Sequence, residues 1–227
     1  MGQRFLKINV TPMSQKNRRI GNCSVRAMTV ALGEDYKKIA KKLGYKINDD
    51  DYSYDLDPGV ELSKIKRQFD RCCSDVYDQN DILDSEDEMK KEMMKDPEFR
   101  DGYSFDLDDD FQDEKNDVTV GEFMSLYAGN GVFCVGCSNP KNLEDGHLTL
   151  VVAGDSTQYL IDSWDCRNWL VDSYLWIDDK YVNENLKKNP ISLKDLYEQY
   201  GIEYKNTVKE SMDPFIYQMA ERIRLDL

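Results

Sequence analysis

The sequence predicts an α+β domain, a helical layer packed on an antiparallel sheet, and three observations carry that prediction. Apolar residues recur at helical spacing between residues 23 and 73, and strand-like runs cluster between residues 132 and 164. A strongly acidic block separates the two regions. Helices grouped before strands, rather than alternating with them, point to α+β.

The elements follow in order. "RFLKINV" (4–10) alternates as a short strand, which Pro12 ends. From Cys23 to Leu32 the residues Val25, Met28, Thr29 and Leu32 mark one helix face, and Gly33 is a C-terminal stop. A second helix lies in "EDYKKIAKKLG", with Tyr36, Ile39, Ala40 and Leu43 on one face and Gly44 as its end. A third is expected over 59–73, carried by Val60, Leu62, Ile65 and Phe69. After the acidic block, Thr119 and Glu122 form a capping box for a short helix that Gly129 and Gly131 break. "VFCVGCS" (132–138) reads as a buried strand, and residues 146–164 as two strands around a Gly-Asp-Ser-Thr turn. Further helices are expected in "SLKDLYEQYG" and, with Asp213 as N-cap and Pro214 at the first helical position, in "DPFIYQMAERIRL". The expected organisation is one domain over 1–180, interrupted by an acidic insertion at 75–117, with a helical C-terminal extension over 181–227.

Charge and composition narrow the function classes. Residues 75–117 hold 18 Asp+Glu against 5 Lys+Arg, nearly all of the chain's net charge of −14. Direct phosphate-backbone binding needs basic patches, so no nucleic-acid partner is expected. The plainer reading of the block is a solvated, partly disordered insertion; the sharper one is a docking surface for a basic protein, or a mimic of DNA phosphates. "DLDDDFQDEKND" (106–117) begins like a calcium loop, but Phe111 stands where the sharp turn needs glycine and Asp117 where a bidentate glutamate closes the site. The longest apolar run, "LTLVVA", is too short to cross a bilayer, and no export signal opens the sequence, so no membrane partner and a cytoplasmic location are expected. The six cysteines then read as reduced thiols. Cys134 and Cys137 form a C-x-x-C on a strand, where redox work is not expected. Adding the adjacent pair Cys72 and Cys73 makes a poor zinc site. No metal and no cofactor are expected.

Cys23 directly follows a Gly-Asn turn and opens a helix. There the helix dipole lowers a thiol pKa, and the residue's own amide supplies half of an oxyanion hole. The other half would come from an upstream amide side chain, Asn17 or Gln15. The chain holds one histidine, His147, so any Cys-His chemistry must use it. With Gly154-Asp155 or Asp155-Ser156 as the turn, His147 lies opposite Asp162 or Trp164, and either register puts His147 and Asp162 on one sheet face. Asp165 has the opposite parity and ranks second.

"GNCSVRAMTVALGEDYKKIAKKLG" and the later "GHLTLVVAGDSTQYLIDSWD" resemble the papain-like cysteine peptidase superfamily. The likeness is to small bacterial and phage members with an Asn/Asp-Cys-x-x-Arg-Ala helix start and a His-strand-turn-strand-Asp hairpin. It covers roughly residues 15–75 and 118–170. It implies a papain-like fold, Cys23 as nucleophile, His147 as general base and acid, and Asp162 as the orienting group. The usual upstream glutamine has two counterparts, Asn17 with the spacing and Gln15 with the residue type. The implied activity is thiol-dependent acyl hydrolysis of a peptide or protein substrate at a peptide or isopeptide bond. The alternative is an idle papain-like fold acting as a binding or inhibitor protein through its acidic insertion.

Overall fold

The computed structural model describes residues 2–11, 21–45, 61–78, 81, 118–126, 131–154 and 156–203. Asn17, Gln15, most of the acidic insertion with its calcium-like stretch, and the helix expected after Asp213 lie outside the described residues.

Among the described residues six strands form one sheet: β1 (Gly2–Lys7), β2 (Tyr77–Asp78), β3 (Gly131–Asn139), β4 (Asn142–Ala153), β5 (Thr157–Asp162) and β6 (Leu170–Trp176). Their spatial order is β1-β5-β4-β3-β6-β2. The expected all-antiparallel sheet is instead mixed, because β1 pairs parallel with β5, from Gly2↔Thr157 to Lys7↔Asp162. The two are distant in sequence, so no hairpin turn dictates their direction. β3 and β4 do form a hairpin, closed by Asn139↔Asn142 around Pro140 and Lys141. β4 therefore starts earlier than expected, and its exposed first half gives way to a buried second half at His147.

Five helices occur among the described residues: α1 (Cys23–Leu32), α2 (Tyr36–Lys42), α3 (Leu62–Gln68), α4 (Val120–Leu126) and α5 (Leu193–Gln199). The third is shorter than expected. The chain turns at Phe69, whose carbonyl accepts from Cys72 N–H, and Cys73 then bridges to Ile177 at the sheet edge. The capping box of α4 forms in both directions: Thr119 N–H donates to Glu122 Oε2 (2.8 Å) and Glu122 N–H to Thr119 Oγ1 (3.2 Å).

Both sheet faces are covered. Val25, Met28, Ile39, Leu43 and Ile65 pack with Cys134, Leu148, Leu150, Tyr159 and Ile161 on one face. Val120, Phe123 and Met124 pack with Phe133, Val135, Val151, Leu160 and Cys166 on the other. Burial on both sides explains why β3 reads as a nearly unbroken apolar run.

Residues beyond 180 finish α1. Its last carbonyls have no partner within the helix. Asn183 N–H donates to Ala31 O (2.8 Å), Asn183 Nδ2 to Val30 O (3.0 Å) and the Tyr200 hydroxyl to Thr29 O (2.9 Å). Gly33 ends the helix at φ 68°, a left-handed conformation in which a Cβ would also meet Asn183 at 3.0 Å. Gly33 and these bonds fix the C-terminal end of α1, the helix that Cys23 opens. No helix among the described residues is long and apolar enough to cross a membrane.

Candidate functional site

Cys23 is the first residue of α1, after Asn22. The Asn22 amide gives the helix no side-chain cap; it donates instead to Thr11 Oγ1 (3.0 Å) and the Tyr36 hydroxyl (2.7 Å). These two buried bonds anchor the start of α1 to the chain leaving β1 and to α2. The first-turn amides are consequently left free of their own cap.

The β4–β5 ladder runs from Ala153↔Gln158 to Leu150↔Ile161, the register expected for the Asp155-Ser156 turn. Its continuation aligns His147 with Trp164 and Thr149 with Asp162, on one face. The side chains meet there: His147 Nε2 and Asp162 Oδ2 are 2.6 Å apart, with only 8% and 5% of the side chains exposed. Beyond the ladder's end the Leu148 amide and the His147 ring both hydrogen-bond the Cys23 sulfur. Since Nε2 faces Asp162, the ring presents Nδ1 to Cys23. Cys23, His147 and Asp162 therefore form one connected chain of hydrogen bonds. Asp165 does not join it; it pairs with Arg167 at 2.6 Å.

Arg26, one turn along α1 from Cys23, braces the acidic end. Its Nη1 donates to Ser163 Oγ (2.5 Å), and its Nη2 lies 3.6 Å from Asp162 Oδ1. Ser163 N–H also donates to Asp162 Oδ1 (2.5 Å). One carboxylate oxygen thus holds the aspartate in place while the other holds the histidine.

The electrostatics favour charges on all three groups. Burial opposes ionising Cys23, but the His147 hydrogen bond and charge, the Leu148 amide and Arg26 outweigh it and hold the thiol below its ordinary value. Burial likewise opposes protonating His147, yet Asp162 and Cys23 together push it up to about 10. Asp162 is held low, against its own burial, by His147, Arg26 and the Ser163 amide. A thiolate, an imidazolium and a carboxylate in sequence is the state these shifts describe.

Two tryptophans and a cysteine join the site from the turn after β5. Trp164 lies over the His147 ring at 4.8 Å between centroids, and Trp169 meets both at 6.0 and 4.9 Å. Trp164 is exposed and Trp169 half-buried, so together they wall one side of the imidazole at the surface. Sequence reasoning did not assign them that role, although one register already aligned Trp164 with His147. Cys166 is fully buried beside the pair, hydrogen-bonded to Cys137. That bond, offered by the neighbouring thiol, holds Cys166 low, while the same contact and burial push Cys137 up. Cys134 and Cys137 pack on opposite faces of the sheet, so they cannot share an ion.

No protein-family model, no curated protein and no solved structure matches this chain.

Proposed function

We propose that the protein is a thiol-dependent acyl hydrolase, a cysteine peptidase or isopeptidase, working through Cys23, His147 and Asp162. The observation that carries this reading is the unbroken chain from the half-buried Cys23 at the first turn of α1 through the His147 and Asp162 side chains, which are almost fully covered.

The Cys23 thiolate attacks a substrate carbonyl carbon, and the oxyanion that forms is held by first-turn amides of α1. His147, already an imidazolium, gives its Nδ1 proton to the leaving amine as the tetrahedral species collapses to a thioester. The neutral ring then takes a proton from water, which attacks the thioester, and the returning imidazolium pairs again with the freed thiolate. Asp162 accepts from Nε2–H throughout, fixing the ring's orientation and stabilising its charge. Arg26 and Ser163 position Asp162. Trp164 and Trp169 pack against the imidazole and each other beside that hydrogen bond.

The test uses an activated acyl ester, p-nitrophenyl acetate, which asks little of substrate specificity. The reading predicts a burst of about one equivalent of p-nitrophenol and a hydroxylamine-sensitive acetyl group on the peptide containing Cys23. Acetyl found on other residues, or no burst in protein whose Cys23 is free and reduced, would contradict it.

A further inference from the structure

The two thiols flanking the His147–Asp162 pair have no part in the acyl chemistry, and their placement is specific. Cys137 on β3 is the direct cross-strand partner of His147 on β4. Asp162 comes from β5, the strand on the other side of β4. Cys166 is returned to the same face by the turn after β5 and packs in that face's core. One ligand atom from each of His147, Asp162 and Cys166 lies within 4.8 Å of the other two. Cys137 and Cys166 pack in the same core beneath that pair, and both are fully buried. β4, β5 and the turn after it thus bring an imidazole nitrogen, a carboxylate oxygen and one sulfur to one small volume, and Cys137 on the adjoining strand lies in the same core beside it.

We propose that His147, Asp162, Cys166 and Cys137 form a binding site for a thiophilic, tetrahedral divalent cation of the Zn²⁺ class. The donor set decides the ion. Two sulfurs and an imidazole suit Zn²⁺, whereas Ca²⁺ and Mg²⁺ want oxygen. The dimensions fit as well. Metal–ligand bonds of about 2.0–2.3 Å make tetrahedron edges of about 3.3–3.8 Å. The His147–Asp162 pair now at 2.6 Å must open by about 0.7 Å, and the separations to Cys166 must close by at most about 1 Å, shifts within reach of side-chain rotation, while Cys137 turns in from the adjoining strand to complete the tetrahedron. The ion replaces the Nε2 proton of His147 and the protons of the two thiols, which leave to solvent. Two thiolates and one carboxylate on a divalent ion leave a single negative charge, and the Arg26 guanidinium lies 3.6 Å from the Asp162 oxygen to offset it.

Occupancy has a consequence that rests on the proposed acyl chemistry. With Nε2 on the metal and Nδ1–H directed at Cys23, His147 has no position left to accept a proton. Metal binding and turnover are alternative uses of one imidazole, so the cation acts as an inhibitor rather than a cofactor.

Cobalt(II) is the probe, because its tetrahedral complexes carry intense visible d–d bands and thiolate ligands add near-ultraviolet charge transfer. The full-length chain is purified with reductant and chelator, freed of both, and titrated anaerobically with Co²⁺. The expected result is one equivalent bound with both spectral signatures, unchanged in Cys23→Ser and lost in Cys166→Ser. Cys137→Ser should keep the d–d bands and lose about half of the charge-transfer intensity, one of the two thiolates being gone. Absence of tetrahedral bands from the wild-type chain would overturn the proposal without reference to any variant. Bands lost in Cys23→Ser and kept in Cys166→Ser would overturn it too, placing the ion on Cys23 and His147. Acylation of metal-free protein is read separately, so failure of the metal site and failure of the acyl chemistry are distinguishable.

Discussion

Replacing His147 with alanine separates the thiol's ionisation from its accessibility. In the wild type the imidazole contributes both the strongest hydrogen bond and the strongest charge acting against burial of the Cys23 thiolate. His147→Ala removes both and leaves the burial, with only the Leu148 amide and Arg26 opposing it. Cys23 should then ionise no more readily than a free thiol, for which pKa is about 8.5 and about one molecule in 300 is thiolate at pH 6. Alkylation of Cys23 by iodoacetamide at pH 6 should therefore be slower than in wild type, toward the ~300-fold that separates a fully ionised thiol from a free one at that pH. The gap should narrow as pH rises and nearly close by about pH 10, where both proteins carry thiolate. The assay is time-resolved labelling with peptide mapping. Cys73, which burial pushes up to about 12, serves as the slow internal reference. Two results would refute the reasoning. One is equal Cys23 labelling at pH 6 in both proteins; the other is a deficit of constant size at every pH, which would indicate lost access rather than lost charge.

Other expectations follow from the same contacts. Acylation by an activated ester should fall most in His147→Ala, by about 10²–10⁴, less in Asp162→Ala and least in Asp162→Asn, with Asp165→Ala near wild type because Asp165 pairs with Arg167 instead. Asp162→Asn should still carry a cost, since one amide oxygen cannot serve both His147 and the Ser163–Arg26 side; rates at matched circular dichroism decide the order. His147, raised to about 10, contributes stability that is complete below the unfolded value of about 6.5 and lost as pH rises through about 10, while the depressed Cys23 contributes stability that is complete above about 8.5 and lost as pH falls. Below about pH 8.5 the two slopes oppose one another, so urea midpoints should decline less steeply between about pH 6.5 and 8.5 in wild type than in Cys23→Ser, a window that holds no second histidine. Thr119→Ala should remove the reciprocal cap of α4, costing about 1 kcal/mol and lowering Tm by about 2–4 °C by calorimetry.

The parts of this fold governed by local chemistry were legible in the sequence. Gly33 stops α1, Tyr36, Ile39, Ala40 and Leu43 bury one side of α2 and its end, and Thr119 with Glu122 caps α4. The parity of a hairpin with a short turn was enough to put His147 and Asp162 on one face. Features set by distant pairing were not legible. Nothing within "GQRFLK" says that β1 runs parallel to β5, and β6 escaped notice because Asp172 and Ser173 interrupt its apolar pattern. Those residues are tolerated because β6 lies between β3 and β2, where Asp172 accepts a 2.6 Å hydrogen bond from Ser138. The turn from Ser163 to Trp169 has no periodicity to read, yet it delivers Trp164, Cys166 and Trp169 to the site. Nothing near Arg26 in the sequence names its partner, Asp162, which becomes evident only with α1 beside the end of β5.

The most direct test of the account is the protonation state of His147, and a chain with one histidine allows it to be read without assignment. Histidine-selective ¹³C and ¹⁵N labelling gives a single imidazole signal set, followed by NMR from pH 5 to 11 in metal-free, reduced protein. The account predicts an imidazolium at pH 7 that loses its proton only near pH 10, and a downward shift of that titration in both Cys23→Ser and Asp162→Asn. A His147 that titrates near its ordinary value of about 6.5, and does so regardless of Cys23, would contradict the ion pair on which the proposed chemistry rests.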